Sequence, residues 1–509
     1  MWRGTILAAF IATLTPAMAQ RDSAALHYAS TITEADLRTH LTILASDAFE
    51  GRETGMKGQK MAARYIEEQF RQFGIPPVPD AEERGMLADG YQQQYPLVLS
   101  KPGGLAIAVD GKEYGYMQDY FYNDERLRQD LEAPEVMLAT PVSLGGMRLG
   151  GGSKVMMLID AGKPDNNLFM DMRALTSALD KTVTKVLLVV NDSAKSMMKR
   201  FGPLLDRERM RLAEPGKKVT DKGMQILVIT PELAQAILDK GRYSMKKAVK
   251  TVSKKRVIIK VPVKFTYRSQ DKALSGENVL GYVEGSDRKG ELIAVTAHYD
   301  HIGVIDGEVY NGADDDGSGT VAVLEMAQAF AKAKAEGQGP RRSMLFMTVS
   351  GEEKGLLGSE WYTDHPVFPL DSTVANLNID MIGRTDTVYG DSSSYVYVIG
   401  SKRISSELGT IIERENATRT QLNLDYAFDS DTDPNRFYYR SDHYNFAKHG
   451  VPIAFFFNGV HADYHGPYDE VDKIRFDLLH KRTLLVFHAA WELANRDARI
   501  VVDHSVLKE

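Results

Sequence analysis

The stretch that decides the fold runs from Glu291 to Ser350. It opens with ELIAVTAH (291–298), continues through TVAVLEMAQAFAKAKA (320–335) and closes with SMLFMTVS (343–350). The outer pieces are short, almost unbroken apolar runs, the pattern of strands buried on both faces. The middle piece is long enough for a helix and too long for a typical strand. Two further apolar runs follow, VANLNIDMI (374–382) and VPIAFFFNG (451–459). Strand–helix alternation of this kind predicts an α/β fold, with a mixed, mostly parallel central sheet flanked by helices.

Ligands of open α/β sheets bind beyond the carboxyl ends of the strands, so the residues after each run carry the functional signal. The first run ends in His298, followed by Asp300. The second strand-like run leads into SGEEKG, with Glu352 and Glu353. The third ends in Asp380. The fourth leads through a loop to HADYHGPYD, with His465. Between the first run and the helix that follows lies NGADDDGSG (311–319), three consecutive aspartates bracketed by glycines. Five segments thus bring His, Asp or Glu to one rim.

Each segment alone has a plain structural explanation. The aspartates could cap a helix, and a glutamate pair could be a solvated helix start. A calcium loop of the EF-hand type needs alternating acidic positions and a distant glutamate, which the triplet lacks. Together, the segments supply the nitrogen and oxygen donors suited to zinc or a similar divalent ion. The chain has no cysteine, so thiolate ligands and disulfides are excluded.

Upstream of residue 276 the texture differs. Residues 34–75 read as two amphipathic helices, the second stopped by Gly74 with Pro76 and Pro77 beyond it. Residues 100–265 alternate short apolar runs with basic, polar stretches, including a lysine-rich segment from Lys246 to Lys260, read as the solvated face of a small domain. The N-terminus, MWRGTILAAFIATLTPAMAQ, has a basic start, an apolar run and Ala17-Met18-Ala19. That pattern predicts a signal peptide cleaved after Ala19 and export to the periplasm or exterior. Its apolar run is too short to span about 30 Å of hydrocarbon. The 509 residues carry a formal charge of -7, without the concentrated basic face of a nucleic-acid binder.

Six motifs in this order, AHYDHIG (297–303), NGADDDGSG, SGEEKGLLGS (350–359), NIDMIG (378–383), RSDHYNFAKHGVP (440–452) and DYHGPYD (463–469), with DAFEGRETG (47–55) upstream, resemble the co-catalytic di-zinc aminopeptidases. These are zinc exopeptidases of phosphorylase/hydrolase-like α/β fold. The resemblance covers about residues 275–490. It implies a peptidase domain formed by residues 20–100 and 266–509. Residues 101–265 would be an inserted, smaller α+β domain of protease-associated type.

The resemblance implies two zinc ions per chain, one held by His298 and Asp380, the other by Glu353 and His465, with Asp315 bridging both. Glu352 would be the general base toward a water shared by the metals. Asp300 would accept the second N–H of His298, and Asp469 would support the His465 loop. Tyr464 is a candidate oxyanion donor and Arg440 a candidate substrate contact. The expected substrates are peptides with a free N-terminus. Alternatives are a carboxypeptidase or dipeptidase of the same fold, a one-zinc glutaminyl cyclase, and a non-catalytic binding relative.

Overall fold

The structure, a computed structural model, describes residues 23–123, 126–141, 153–159, 184–213, 223–390 and 393–504. The expected signal peptide lies outside the described residues. The described chain divides into two units, residues 98–273 and the remainder on either side.

The larger unit has the expected mixed sheet. Its strands run in the order Asn423–Asp425, Tyr395–Ile399, Ile453–Phe457, Thr373–Ile379, Arg288–His298, Arg342–Val349, Lys272–Val283 and Gln92–Ser100. The four from Ile453–Phe457 to Arg342–Val349 are mutually parallel. The flanking strands Tyr395–Ile399 and Lys272–Val283 pair antiparallel with this block. Residues of Arg342–Val349, Thr373–Ile379 and Ile453–Phe457 are buried throughout, which is why these runs do not alternate polar and apolar.

Helices cover the sheet. Gly319–Ala335 packs against Arg288–His298 and Arg342–Val349 and is itself covered by Glu34–Leu44 and Phe476–Asn495. Enclosed in this way, it is buried at thirteen of its positions, and it lacks a broad polar face. Phe330, Phe346, Phe487 and Trp491 meet there with ring centroids 5.2–5.6 Å apart; full burial of each such side chain contributes about 1.5–3 kcal/mol. Lys57–Gln72 ends as the sequence indicates, with Gly74 at φ 76°. The first predicted helix is shorter than its periodicity, stopping at Leu44. Residues 47–52 form a tight, kinked turn instead, with Glu50 and Gly51 out of helical conformation.

The unit 98–273 has its own sheet, in the order Lys112–Tyr114, Leu105–Val109, Val257–Tyr267, Leu131–Ala139, Val155–Leu158, Val186–Val190, Gln225–Ile229 and Tyr120–Phe121. It has a separate core around Leu105, Val136, Leu188 and Ile237. The lysine-rich segment forms the helix Met245–Val252 and the strand beginning at Val257. Its lysines are exposed, and Lys260 pairs with Glu135.

Candidate metal centre

The register of the parallel strands assembles the site. His298 pairs with Val349, and Ile379 with Phe456, so the strands stop at nearly the same level. The chain leaves Val349 in a turn, with Gly351 at φ 81°, and presents Glu352 and Glu353. Asp380 follows Ile379 directly. His465 comes from the loop after Phe457 and sits at φ 54°.

Asp315 stands at the centre. Its Oδ1 lies 3.2 Å from His298 Nε2, and its Oδ2 lies 3.2 Å from His465 Nε2. On one side, His298 Nε2 is 3.6 Å from Asp380 Oδ1 and 4.0 Å from Glu352 Oε2. On the other, His465 Nε2 is 3.2 Å from Glu353 Oε2, and His301 Nδ1 is 3.0 Å from Glu353 Oε1. Two donor groups result: His298, Glu352 and Asp380; and His301, Asp315 and Glu353. His298, Asp315, Glu352, Glu353, Asp380 and His465 are therefore brought together. His301 is an additional donor without an assigned role in the sequence reading, although AHYDHIG contains it.

The other two aspartates of the triplet face backbone. Asp316 accepts the N–H groups of His298, Gly319 and Met381. Asp314 accepts the N–H of Gly383 and the hydroxyl of Ser318, and its second oxygen lies 3.3 Å from His461 Nε2. Asp469 differs from expectation. Its carboxylate accepts the N–H groups of Asp314 and Asp315, so it anchors the triplet rather than His465. Asp300 also differs in detail. His298 Nδ1 lies 3.0 Å from the main-chain carbonyl of Asp300 and 3.7 Å from its carboxylate. That carboxylate instead accepts from Thr54 Oγ1 at 2.6 Å and from the N–H of Glu352 at 3.3 Å.

Two buried arginines brace the surrounding loops through carbonyls. Arg52 donates to the carbonyls of Leu44, Tyr299, Asn311 and Gly312. Arg482 donates to those of Tyr395, Ile382 and Arg384. Neither guanidinium was marked in the sequence as functional, because each acts on backbone far along the chain.

Electrostatics separates the paired glutamates. Burial, reinforced by Glu353, Asp380 and Asp442, pushes the Glu352 carboxyl well above its ordinary range against the opposing pull of His298. Burial and Asp315 would raise Glu353 too, but His301 and His465 outweigh them and hold it down at about 2. Asp315 is likewise held well below its usual value by His298 and His465 despite full burial. Burial disfavours the charged form of His465, yet its contacts with Asp315 and Glu353 raise it to about 10.

The donor set fits a divalent cation. Among the described residues, no hydrogen bond of good geometry reaches the buried atoms His301 Nδ1 and Nε2, Asp315 Oδ2 and Glu353 Oε1, although buried polar atoms are normally satisfied. Four carboxylates and three imidazoles converge without sulfur, the chemistry of zinc and similar ions. The adjoining pocket is lined by the polar residues Asp315, Glu352, Asp380 and His465 and by the apolar residues Met381, Phe437, Phe455 and Phe457. Tyr464 and Arg440 also line it. The Tyr464 ring stacks on His465 with centroids 3.9 Å apart, and its hydroxyl accepts from Arg440 at 3.3 Å. Burial, with Asp315 and Asp380 nearby, drives the Tyr464 phenol far above its ordinary range, so it stays protonated.

The Peptidase family M28 profile matches residues 278–490. The chain is 27% identical over 233 residues to Aminopeptidase YwaD of Bacillus subtilis (strain 168), covering 44% of this chain and 46% of that protein. It is 30% identical over 228 residues to a probable leucine aminopeptidase of Arthroderma benhamiae, covering 43% of this chain and 57% of that one. The alignments thus span about half the length of these relatives. Among solved structures, the aminopeptidase from Aneurinibacillus sp. strain AM-1 superimposes with a TM-score of 0.50 at 16% identity, over 93% of this chain and 97% of the other. That likeness shows a shared fold.

Proposed function

We propose, from the match of residues 278–490 to Peptidase family M28, that the protein is a zinc-dependent aminopeptidase releasing N-terminal residues from peptides. The observation that carries the reading is the position of Asp315, whose two oxygens face His298 and His465 at 3.2 Å each. One carboxylate placed between two histidines is suited to bridge two cations. His298 and Asp380 would hold one zinc, Glu353 and His465 the other. Bound there, the ions would acidify a shared water and polarise the scissile carbonyl.

The chain's own residues supply the remaining chemistry. Glu352, kept basic by burial, takes the proton of the attacking water and delivers it to the leaving amine. Tyr464 accepts from Arg440 and so directs its own proton toward the developing oxyanion. The carboxylates lining the pocket suit the ammonium group of a free N-terminus, and the apolar residues in the same lining favour exclusion of water.

We also read residues 98–273 as a protease-associated-like insert, on their position in the chain and their separate sheet. The N-terminal pattern supports export, and no helix among the described residues is long and apolar enough to cross a membrane. A panel of matched peptides with free, N-acetylated and C-terminally amidated ends, with and without chelator, tests the activity. Chelator-sensitive release of the first residue from free N-termini, abolished by acetylation, is expected. Equal turnover of acetylated peptides would overturn the aminopeptidase reading, and sensitivity to C-terminal amidation instead would indicate a carboxypeptidase.

A further inference from the structure

Three consecutive residues, Arg52, Glu53 and Thr54, each bond to a loop that carries the metal centre, and none was assigned to it. Arg52 donates to Tyr299 O, between His298 and Asp300, and to Asn311 O and Gly312 O, just ahead of the aspartate triplet; these bonds are 2.7–2.9 Å long. Glu53 accepts from Lys354 Nζ at 2.8 Å, beside Glu353, and its backbone bridges to His301. Thr54 Oγ1 donates to Asp300 Oδ2 at 2.6 Å. The other oxygen of the same carboxylate accepts the N–H of Glu352.

The backbone here is built for this contact. Glu50, Gly51 and Arg52 are all left-handed, at φ 50°, 61° and 54°. Such a run in non-glycine residues costs free energy and persists only where its surroundings enforce it. A side chain on Gly51 would collide with the main chain of Gly303 and Tyr310, so the turn lies directly against the two loops. Arg52 is 1% exposed, and its guanidinium donates to four carbonyl oxygens. Burial lowers its pKa to about 10, against the support of Asp300, Asp469, Asp315 and Asp316, which leaves it charged at neutral pH. A buried cation bonded to backbone carbonyls fixes where those carbonyls sit, and its charge offsets part of the acidic cluster nearby.

We propose that Arg52, Glu53 and Thr54 are a clamp of positioning residues that sets the separation of the His298, Asp315 and Glu352–Glu353 loops and thereby the affinity of the centre for its metal. The clamp comes from the N-terminal segment, roughly 250 residues before the loops it joins, so this segment is part of the centre rather than packing around it. Thr54 is its most discriminating member. Its hydroxyl is the side-chain donor to the Asp300 carboxylate, and through that carboxylate it steadies the backbone at Glu352. Outer partners of this kind typically change metal affinity by about 10- to 100-fold.

The inference rests on the metal reading above, and the test separates the two. The full chain is treated with chelator, and zinc is titrated back in competition with a chromophoric chelator for wild type, Thr54→Val, Thr54→Ser and Arg52→Lys. The expected result is a zinc affinity about 10- to 100-fold weaker in Thr54→Val and wild-type affinity in Thr54→Ser, with both threonine variants folded in chelator. Arg52→Lys should weaken zinc as well; if it does not fold, the threonine pair still decides. Thr54→Val binding zinc as tightly as wild type, or Thr54→Ser losing as much as Thr54→Val, would overturn the clamp. A wild-type chain that takes up no zinc would overturn the metal reading and the clamp with it.

Discussion

The carboxylate of Asp469 accepts the main-chain N–H of Asp315 at 3.0 Å and that of Asp314 at 3.0–3.1 Å. A residue from the DYHGPYD motif therefore holds the turn from which the central carboxylate projects. Asp469 is fully buried, and burial together with Asp314 raises its carboxyl to about 6. Replacing it by Asn turns one acceptor into a donor that opposes a backbone N–H. Asp469→Asn should lower stability by about 1–3 kcal/mol, the cost of a buried unsatisfied polar group, and reduce bound zinc. Chemical denaturation and metal analysis of the same preparation check both.

Glu352 has a different predicted signature. Glu352→Gln keeps the shape and removes the proton acceptor. Hydrolysis should fall by about 10²–10⁴-fold, the usual range for general-base loss, while zinc content stays at the wild-type value. The structure groups Glu352 with His298 and Asp380 as possible donors, so the alternative is concrete: if the variant loses metal, Glu352 is a ligand and not the base.

Gly312 gives a test of the backbone before the triplet. It sits at φ 53°, and an added Cβ would collide with Asp315 O and with the His301 ring. Gly312→Ala should cost at least about 1 kcal/mol from the left-handed backbone alone, and more from displacing both neighbours. The readouts are a lowered thermal midpoint and weakened zinc binding. An alanine variant with wild-type values for both would show that this turn can relax without disturbing the centre.

Stability should fall on mild acidification, with a traceable contribution from His443. Its ring is buried against Phe455 with centroids 4.6 Å apart, and Nε2 lies 2.8 Å from the carbonyl of Tyr438. Burial lowers its pKa from 6.5 to about 3. Between these values the unfolded chain binds the proton and the folded chain does not. The contribution is therefore complete above pH 6.5 and is lost progressively as pH falls toward 3. From pH 7 to pH 5 this amounts to about 2 kcal/mol for one such group. His443→Phe should show a correspondingly smaller drop in unfolding free energy over that interval, and an unchanged drop would contradict the assignment.

Much of this arrangement was legible in the sequence because parallel strands leave a strong trace. Buried strands are continuous apolar runs, and the residues at their carboxyl ends must share one rim, so His298, Asp380 and the Glu352–Glu353 pair could be located from local patterns. His301 could not. Three residues after His298, its ring reaches Glu353 only because the loop turns back against Gly312. The partners of Asp469 and Arg52 were also hidden, since most of their bonds are to backbone atoms more than a hundred residues away, and backbone partners leave no mark in side-chain identity. Helix periodicity misled at residues 45–52. The apolar spacing there continues, while the left-handed residues Glu50 and Arg52 break the helix for the sake of long-range bonds.

The central claim is that one carboxylate, Asp315, joins two metal positions. The most direct measurement is the zinc content per chain of the purified full-length protein after removal of loosely bound ions. The account predicts two equivalents. A value of one, or of none in an active preparation, would contradict it.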